Sequence, residues 1–495
     1  MNLFKSSICV PIIGPTSAAI EQQMILAVAK GDIIEWRIDR FDDLSFADLP
    51  RFIPKNHPLL ITALPACFHR LFESPLSEIL QENVVKWVDF PWEANCNSVI
   101  ERFRSLYPHI QILISHHNFE QTPDHLEKLF QTLFDNQASV AKLATFSNST
   151  LDSLRMLQAV RSYSHERQII GVCMGELGPI TRILAPRFGD IWTYAALSPQ
   201  HQSAPGQTPI DELIEIYRYR QLSSKTTMLG LIGNPVDKSP SHLTHNHVFD
   251  KLNLDAVYVK MALKDFELPD FLKLSKELGF RGFSVTMPFK QRIIPYLDRI
   301  APCSQAIGSI NTLHITSNEL VGYNTDGKAA IRCLEKQISL AGKRAIILGN
   351  GGTARAIAYE LQRNGVQVIL LGRDLVKLQT VATDIKCQIG LLKDLARYLK
   401  NPVDIIIQAT PVGMSPDVNH SLIDLNDLSS KHLVMDVVSN PRETKLLAGA
   451  KSKGCTIITG LELFMEQALL QFKIWFGDSI DLLNARKQME LDLTS

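Results

Sequence analysis

The sequence predicts an α/β protein in two parts, a parallel (β/α)₈ barrel followed by a second α/β part that ends in a dinucleotide-binding lobe. Three observations predict it. Apolar β-like runs alternate with amphipathic helical stretches eight times before residue 200. The polar break Ser223-Ser224-Lys225-Thr226-Thr227 precedes a fresh strand–helix alternation. A glycine-rich turn then follows the strongly apolar run Arg344–Leu348 and opens a helical pattern.

The eight runs are Ser7–Ile12, Ile33–Asp39, Leu59–Leu64, Trp87–Phe90, Ile112–His117, Ser139–Thr145, Ile169–Gly175 and Ile191–Leu197. Helical periodicity fills the intervals, most clearly at Ala18–Lys30, Pro123–Asn136 and Thr150–Tyr163. A barrel gathers its reactive groups at the C-terminal ends of its strands. Glu35, Arg37, His117 and Lys142 lie within or at the ends of such runs, while Arg182 and Ser203-Ala204-Pro205-Gly206-Gln207 follow the seventh and eighth. A helix is expected over Pro209–Leu222, closing the barrel, and the strand Met228–Ile232 opens the next unit.

After Arg344–Leu348 comes Gly349-Asn350-Gly351-Gly352-Thr353-Ala354. Glycines there allow a tight turn and a close backbone approach, and the helix N-terminus receives a pyrophosphate. The next strand, Val366–Leu371, ends at Gly372-Arg373. An acid at that point would hold a ribose 2′-hydroxyl. Arginine suits a 2′-phosphate, hence NADP, with a plain surface arginine as the alternative.

Composition narrows the function classes. The chain has 495 residues, with Lys+Arg and Asp+Glu both at 51, so no net field draws in a polyanion. Nucleic acid and acidic membrane surfaces are therefore disfavoured as partners. Eight scattered cysteines without a C-x-x-C spacing argue against a zinc site or a disulfide framework and suit a reducing cytosol. The expectation is a cytoplasmic protein that needs no metal. No apolar run reaches the roughly 18 residues needed to span a bilayer, and Pro11 marks Ile8–Ile13 as a strand rather than a signal core. Oligomeric state is not specified.

Lys142 stands inside Ser139-Val140-Ala141-Lys142-Leu143-Ala144-Thr145, where desolvation disfavours an ammonium. Such a lysine is paired, or has a lowered pKa, or keeps its head in water at a strand end. With a lowered pKa it is a nucleophile toward ketones, through a Schiff base. The neighbouring run ends in His116 and His117, so an imidazole is at hand to move a proton.

From roughly residue 5 to 222 the chain resembles a type I 3-dehydroquinate dehydratase. The resemblance rests on Glu35-Trp36-Arg37-Ile38-Asp39, Ser115-His116-His117-Asn118-Phe119 with Thr122-Pro123, Lys142-Leu143-Ala144, Thr181-Arg182 and Ser203–Gln207. It implies Lys142 as the imine-forming nucleophile and His117 as general acid and base. It assigns the substrate carboxylate and hydroxyls to Arg182, Glu35, Arg37, Ser203 and Gln207; His116 is expected to pack rather than react. The family's T-x-R-x-x-x-E-G-G is not matched, because Leu64 and Phe68 occupy the Arg and Glu places. Arg70 and Glu73, just downstream, are candidates to replace them.

Residues 228 to 478 resemble a shikimate dehydrogenase. The matches are Gly233-Asn234-Pro235-Val236 with Ser239 and Ser241, Ser284–Lys290, Ile307–Leu313, Gly322–Gly327, the glycine loop, Ala409–Met414 and Gly460–Gln467. The resemblance implies a substrate lobe at 228–330, completed by about 465–495, and an NADP lobe at 331–464, with the barrel at 1–222. Lys290 and Asp326 would then be the reacting pair. Ser239, Ser241, Thr286, Asn311 and Gln467 would hold the substrate, and Gly349, Gly351, Gly352, Thr353, Ala354, Arg373, Thr410 and Gly460 the cofactor. Gln408 stands where Asn is usual, and Asp374 follows Arg373, which weakens the expected NADP preference. Together the halves imply dehydration of 3-dehydroquinate to 3-dehydroshikimate, then NADPH-dependent reduction to shikimate. A reductase carrying a disabled barrel, and a non-catalytic sensor of these intermediates, are the other two readings.

Overall fold

The computed structural model describes residues 6–92, 96–317 and 319–494; Met1–Lys5, at the start of the expected barrel, lie outside them. The chain divides into two compact units, Met1–Leu229 with Leu254–Phe280, and Gly230–Asn253 with Arg281–Ser495.

In the first unit the strands are β1 Ser7–Ile12, β2 Ile33–Arg37, β3 Leu59–Thr62, β4 Val85–Pro91, β5 Gln111–Asn118, β6 Val140–Phe146, β7 Gln168–Met174 and β8 Trp192–Tyr194. They form a parallel sheet in the order β7-β6-β5-β4-β3-β2-β1-β8. At the seam between β7 and β8, Ile191 N donates to Ile169 O at 3.2 Å, which all but closes the barrel.

The strand period of two decides what faces inward. Cys9, Ile33, Leu60, Trp87, Leu113, Val140, Ile170 and Trp192 pack together as a dry floor. Counting two residues on from that layer gives Glu35, Thr62, Asp89, Ser115, Lys142 and Tyr194. Polar side chains therefore enter the barrel only one pleat above its floor.

The helix expected over Pro209–Leu222 is not continuous. Glu212–Ile216 forms one wide turn and Tyr219–Gln221 a tight one. Arg218 between them is left-handed at φ 50°, and its buried guanidinium donates to Leu254 O and Ala256 O at 3.1 and 2.8 Å. Those two carbonyl contacts outweigh the helical preference of the segment.

A second, mixed sheet comprises β9 Thr227–Gly233, β10 Ala256–Ala262, β11 Phe280–Val285, β12 Arg299–Ile300, β13 Thr312–Ile315 and β14 Leu320–Tyr323, in the order β10-β9-β11-β13-β14-β12. The third sheet is parallel: β15 Arg344–Leu348, β16 Gln367–Gly372, β17 Gln388–Leu391, β18 Ile405–Gln408, β19 Leu433–Asp436 and β20 Thr456–Ile458. Its order, β17-β16-β15-β18-β19-β20, is that of a dinucleotide-binding sheet. Ala345 and Ile347 pack into one core layer and Ile346 and Leu348 into the other, so the strand reads as a continuous apolar run. No helix among the described residues is long and apolar enough to cross a membrane.

Candidate active sites

The mouth of the barrel holds a cavity of about 460 Å³ lined by Glu35, Arg37, His117, Lys142, Arg182, Ser203 and Gln207. Lys142 is buried. Its Nζ lies 3.2 Å from Asp89 Oδ2 and 4.4 Å from the centre of the Tyr194 ring. Of the ways to bury an ammonium, the structure shows pairing. Asp89 is fully buried, and its Oδ1 has no hydrogen-bond partner among the described residues. The His117 ring stacks on Phe119, with centroids 5.9 Å apart, while His116 packs edge-on to Trp92.

Arg182 is buried in the short helix Pro179–Ile183, at 2% exposure. Nη1 donates to the Cys173 carbonyl, and among the described residues Nε has no partner and no acid pairs with the guanidinium. Burial pushes its pKa down to about 10. A buried cation with unspent donors is a site for an anion. Glu35 accepts from Thr62 Oγ1 at 2.5 Å, and Arg37 forks onto Asp39 with two contacts of 2.8 Å. Gln207 Oε1 accepts from Ser203 N and Oγ at 2.9 and 3.1 Å. That loop is pinned to the end of β7 by Gly175 N donating to Pro205 O at 3.0 Å. A Cβ on Gly206 would stand 2.1 Å from Gly175 O, so only glycine permits the approach.

A second cavity, of about 310 Å³, lies within the second unit and is lined by Lys290, Asp326, Ser239, Ser241, Thr286, Asn311, Gln467, Thr353 and Gly460. Lys290 Nζ meets Asp326 Oδ2 at 2.5 Å and Thr353 Oγ1 at 3.1 Å. Asn311 Nδ2 donates to the other Asp326 oxygen at 2.6 Å. Gln471 holds this cluster from behind, donating to the Asn311 carbonyl and to Thr312 Oγ1 and accepting from Ser284 Oγ. Ser239 and Ser241 share a hydrogen bond of 2.7 Å.

The remaining cofactor candidates sit at the C-terminal edge of the third sheet. Gly349 to Gly352 follow β15, Arg373 follows β16 and is exposed, and Thr410 follows β18. Gly351 caps the helix Gly352–Arg363 without a side chain, and a Cβ placed on it would meet nothing within 4 Å. An open cradle at a helix N-terminus with an arginine one strand away fits a dinucleotide carrying a 2′-phosphate. Ala354 packs in the core instead of facing the cradle, and Gly460 lines the second cavity.

Three family descriptions match the chain: "Type I 3-dehydroquinase" over residues 8–224, "Shikimate dehydrogenase substrate binding domain" over 231–313, and "Shikimate / quinate 5-dehydrogenase" over 332–451. The "Shikimate biosynthesis protein AroDE" of Chlamydia pneumoniae is 31% identical over 481 residues, which cover 95% of each chain. The "Bifunctional 3-dehydroquinate dehydratase/shikimate dehydrogenase, chloroplastic" of Arabidopsis thaliana is 29% identical over 504 residues, 95% of this chain and 82% of that one. The chain belongs to the family of fused 3-dehydroquinate dehydratase/shikimate dehydrogenases. Among solved structures, a shikimate dehydrogenase in complex with NADP+ matches at 35% identity and a TM-score of 0.51, covering 55% of this chain and 98% of that chain.

Within this family the departures now have physical form. In the dehydratase half Leu64 lines the cavity as an apolar wall, and Phe68 packs on Phe90 with centroids 5.7 Å apart. Arg70 and Glu73 do not replace them. Arg70 donates to the carbonyls of Ile38 and Phe41 and covers the Phe46 ring, and neither residue lines the cavity. In the dehydrogenase half Gln408 spends its amide on the turn after β18: Nε2 donates to Thr410 O and Val412 O, and Oε1 accepts from Thr410 N and Oγ1. Asp374 Oδ1 caps the helix Leu375–Ile385, accepting from Val376 N at 2.9 Å, which gives its carboxylate a local partner beside Arg373.

Two residues went unseen in the sequence. Asp89 was signalled by a lone acid inside the apolar run Trp87–Phe90, and Tyr194 by nothing beyond its place in the eighth run.

Proposed function

We propose that the two sites perform successive steps, dehydration of 3-dehydroquinate to 3-dehydroshikimate in the barrel and NADPH-dependent reduction to shikimate in the second unit. The observation that carries the reading is the placing of each lysine–carboxylate pair in a cavity whose other groups suit a hydroxylated carboxylate. In the barrel Arg182 receives the substrate carboxylate, with Ser203 and Gln207 beside it. Lys142 gives a proton to Asp89 and attacks the ketone carbon; loss of water leaves an imine. The protonated C=N then withdraws electrons from the neighbouring carbon. His117 takes the proton there and returns one to the departing hydroxyl, so water leaves and a C=C forms. Hydrolysis of the imine releases product and restores Lys142. Glu35 and Arg37 hold ring hydroxyls.

In the second site Ser239, Ser241, Thr286 and Gln467 hold the carboxylate and hydroxyls of the ring. NADPH, when bound on the glycine loop with Arg373 at its 2′-phosphate, supplies hydride. Lys290 gives a proton to the carbonyl oxygen in the same step, and Asp326, oriented by Asn311, holds the ammonium in place.

Borohydride reduction of the full chain with 3-dehydroquinate, followed by peptide mass mapping, tests the first site. A ligand adduct on Lys142 is expected; an adduct elsewhere, or none, overturns it. NADPH oxidation on 3-dehydroshikimate tests the second. Leu64 in the cavity wall favours a second reading, in which the barrel turns over slowly and the reductase dominates. The ratio of the two turnover numbers in one preparation separates the readings.

A further inference from the structure

We propose that Thr353 is a positioning residue of the dehydrogenase site, its hydroxyl tying the glycine loop to the Lys290–Asp326 pair. This deepens the dehydrogenase reading and rests on it.

The three groups form a closed triangle. Lys290 Nζ donates to Asp326 Oδ2 at 2.5 Å and to Thr353 Oγ1 at 3.1 Å, and Thr353 Oγ1 donates to the same Asp326 oxygen at 3.1 Å. A hydroxyl carries one donor and two acceptor sites, so Thr353 serves both partners at once. Valine or alanine at this position serves neither. Asp326 Oδ1 is filled from the other side by Asn311. The ammonium has three N–H donors, of which Asp326 and Thr353 take two, leaving one for the cavity that Lys290 lines. Thr353 thereby selects which N–H faces substrate.

The backbone enforces the contact. A Cβ on Gly352 would lie 2.3 Å from Ser309 Oγ and 3.2 Å from Lys290 Cδ, so the glycine loop is seated directly against the lysine stem. Thr353 is the second residue of the helix Gly352–Arg363, and its backbone N–H belongs to the unsatisfied first turn. One residue therefore offers its backbone to the cofactor cradle and its side chain to the proton donor. Removing the hydroxyl loosens the pair and leaves the cradle intact.

Thr353→Val in the full chain keeps the volume and deletes the hydrogen bonds. The expected result is a fall of about tenfold in kcat for shikimate oxidation, with the NADPH dissociation constant, read by nucleotide fluorescence, within about twofold of wild type. Thr353→Ser restores turnover. Wild-type turnover in Thr353→Val overturns the proposal. So does parallel loss of NADPH binding and turnover, which confines Thr353 to the cradle, and so does failure of Thr353→Ser to restore activity. If Thr353→Val does not fold, Thr353→Ala is read in the same way. A wild-type chain that does not oxidise shikimate retires the dehydrogenase reading itself.

Discussion

Lys142 and Lys290 each face a carboxylate, yet their surroundings differ. Lys142 is 3.2 Å from Asp89, with the Tyr194 ring beside it and one Asp89 oxygen without a hydrogen-bond donor among the described residues. Lys290 is 2.5 Å from an Asp326 whose two oxygens also take hydrogen bonds from Thr353 and Asn311. In the proposed chemistry the first amine must lose a proton and attack carbon, so it needs an acceptor with room left. The second must keep its proton until a carbonyl oxygen takes it, so it needs a fixed geometry. In that proposed chemistry, what separates a nucleophile from a proton donor is how fully the partner carboxylate is hydrogen-bonded.

The largest expected effect comes from removing the barrel amine. Lys142→Met keeps the stem in its apolar slot and should lower dehydration by about 10³-fold or more, with shikimate oxidation unchanged. Dehydration retained at about a tenth of wild type would break the comparison at its first term. Asp326→Asn releases the Lys290 ammonium from its place and should cost shikimate oxidation about 10²-fold or more, toward the 10²–10⁴ range of a lost general acid, and leave dehydration alone. Loss of both activities in either variant would mean that the two sites are not independent.

Stability separates the halves next. Glu466 is fully buried in the helix Gly460–Phe476 and carries Arg486 at 2.6 and 2.8 Å and Lys336 at 2.7 Å. The cations draw its pKa down against the opposing effect of burial. Glu466→Gln weakens these contacts, and because Arg486 and Lys336 stay partly exposed it should cost the dehydrogenase unit about 1–2 kcal/mol, read by urea unfolding followed through shikimate oxidation. The dehydratase midpoint should not move.

The strand pattern and the chemistry were legible for different reasons. Eight apolar runs locate all eight barrel strands, because a buried parallel strand needs no turn chemistry to be recognised. Lys142 stood out because an ammonium in such a run demands an explanation. Its partner Asp89 was equally visible in principle, as an acid between Val88 and Phe90, but pairing between β4 and β6 joins residues far apart in the chain. The broken helix after Pro209 was not legible, since Arg218 owes its left-handed backbone to carbonyls more than thirty residues away. Gln408 and Asp374 read as departures in the sequence and prove to be local staples, which only hydrogen-bond geometry reveals.

Arg182 sharpens the barrel side. Arg182→Met removes a buried guanidinium whose Nε is unpartnered among the described residues and should raise KM for 3-dehydroquinate about 10–100-fold with a smaller change in kcat. An unchanged KM would move the carboxylate elsewhere in the cavity.

Acid should set the two units apart by the smallest margin. In the dehydrogenase unit burial, aided by the charge of His242, pushes His245 down to about 3 from an ordinary 6.5, and burial also lowers His314 and His432. Below pH 6.5 the unfolded chain binds protons that the folded unit refuses, so stability falls as pH drops. The slope for His245 is about 1.4 kcal/mol per pH unit. Asp436 works against this: burial raises it to about 6, so the folded unit gains by protonating it between that pH and the ordinary 3.8 of a free aspartate. Three histidines against one aspartate leave a net loss. In the barrel unit burial raises Asp190 well above the usual range, so acid favours that fold. Heating the full chain at pH 7 and at pH 5.5 should therefore lower the half-inactivation temperature of shikimate oxidation and leave that of dehydration level or higher. His245→Leu should remove part of the dehydrogenase shift, whereas equal acid sensitivity of the two activities would deny that these buried groups control it.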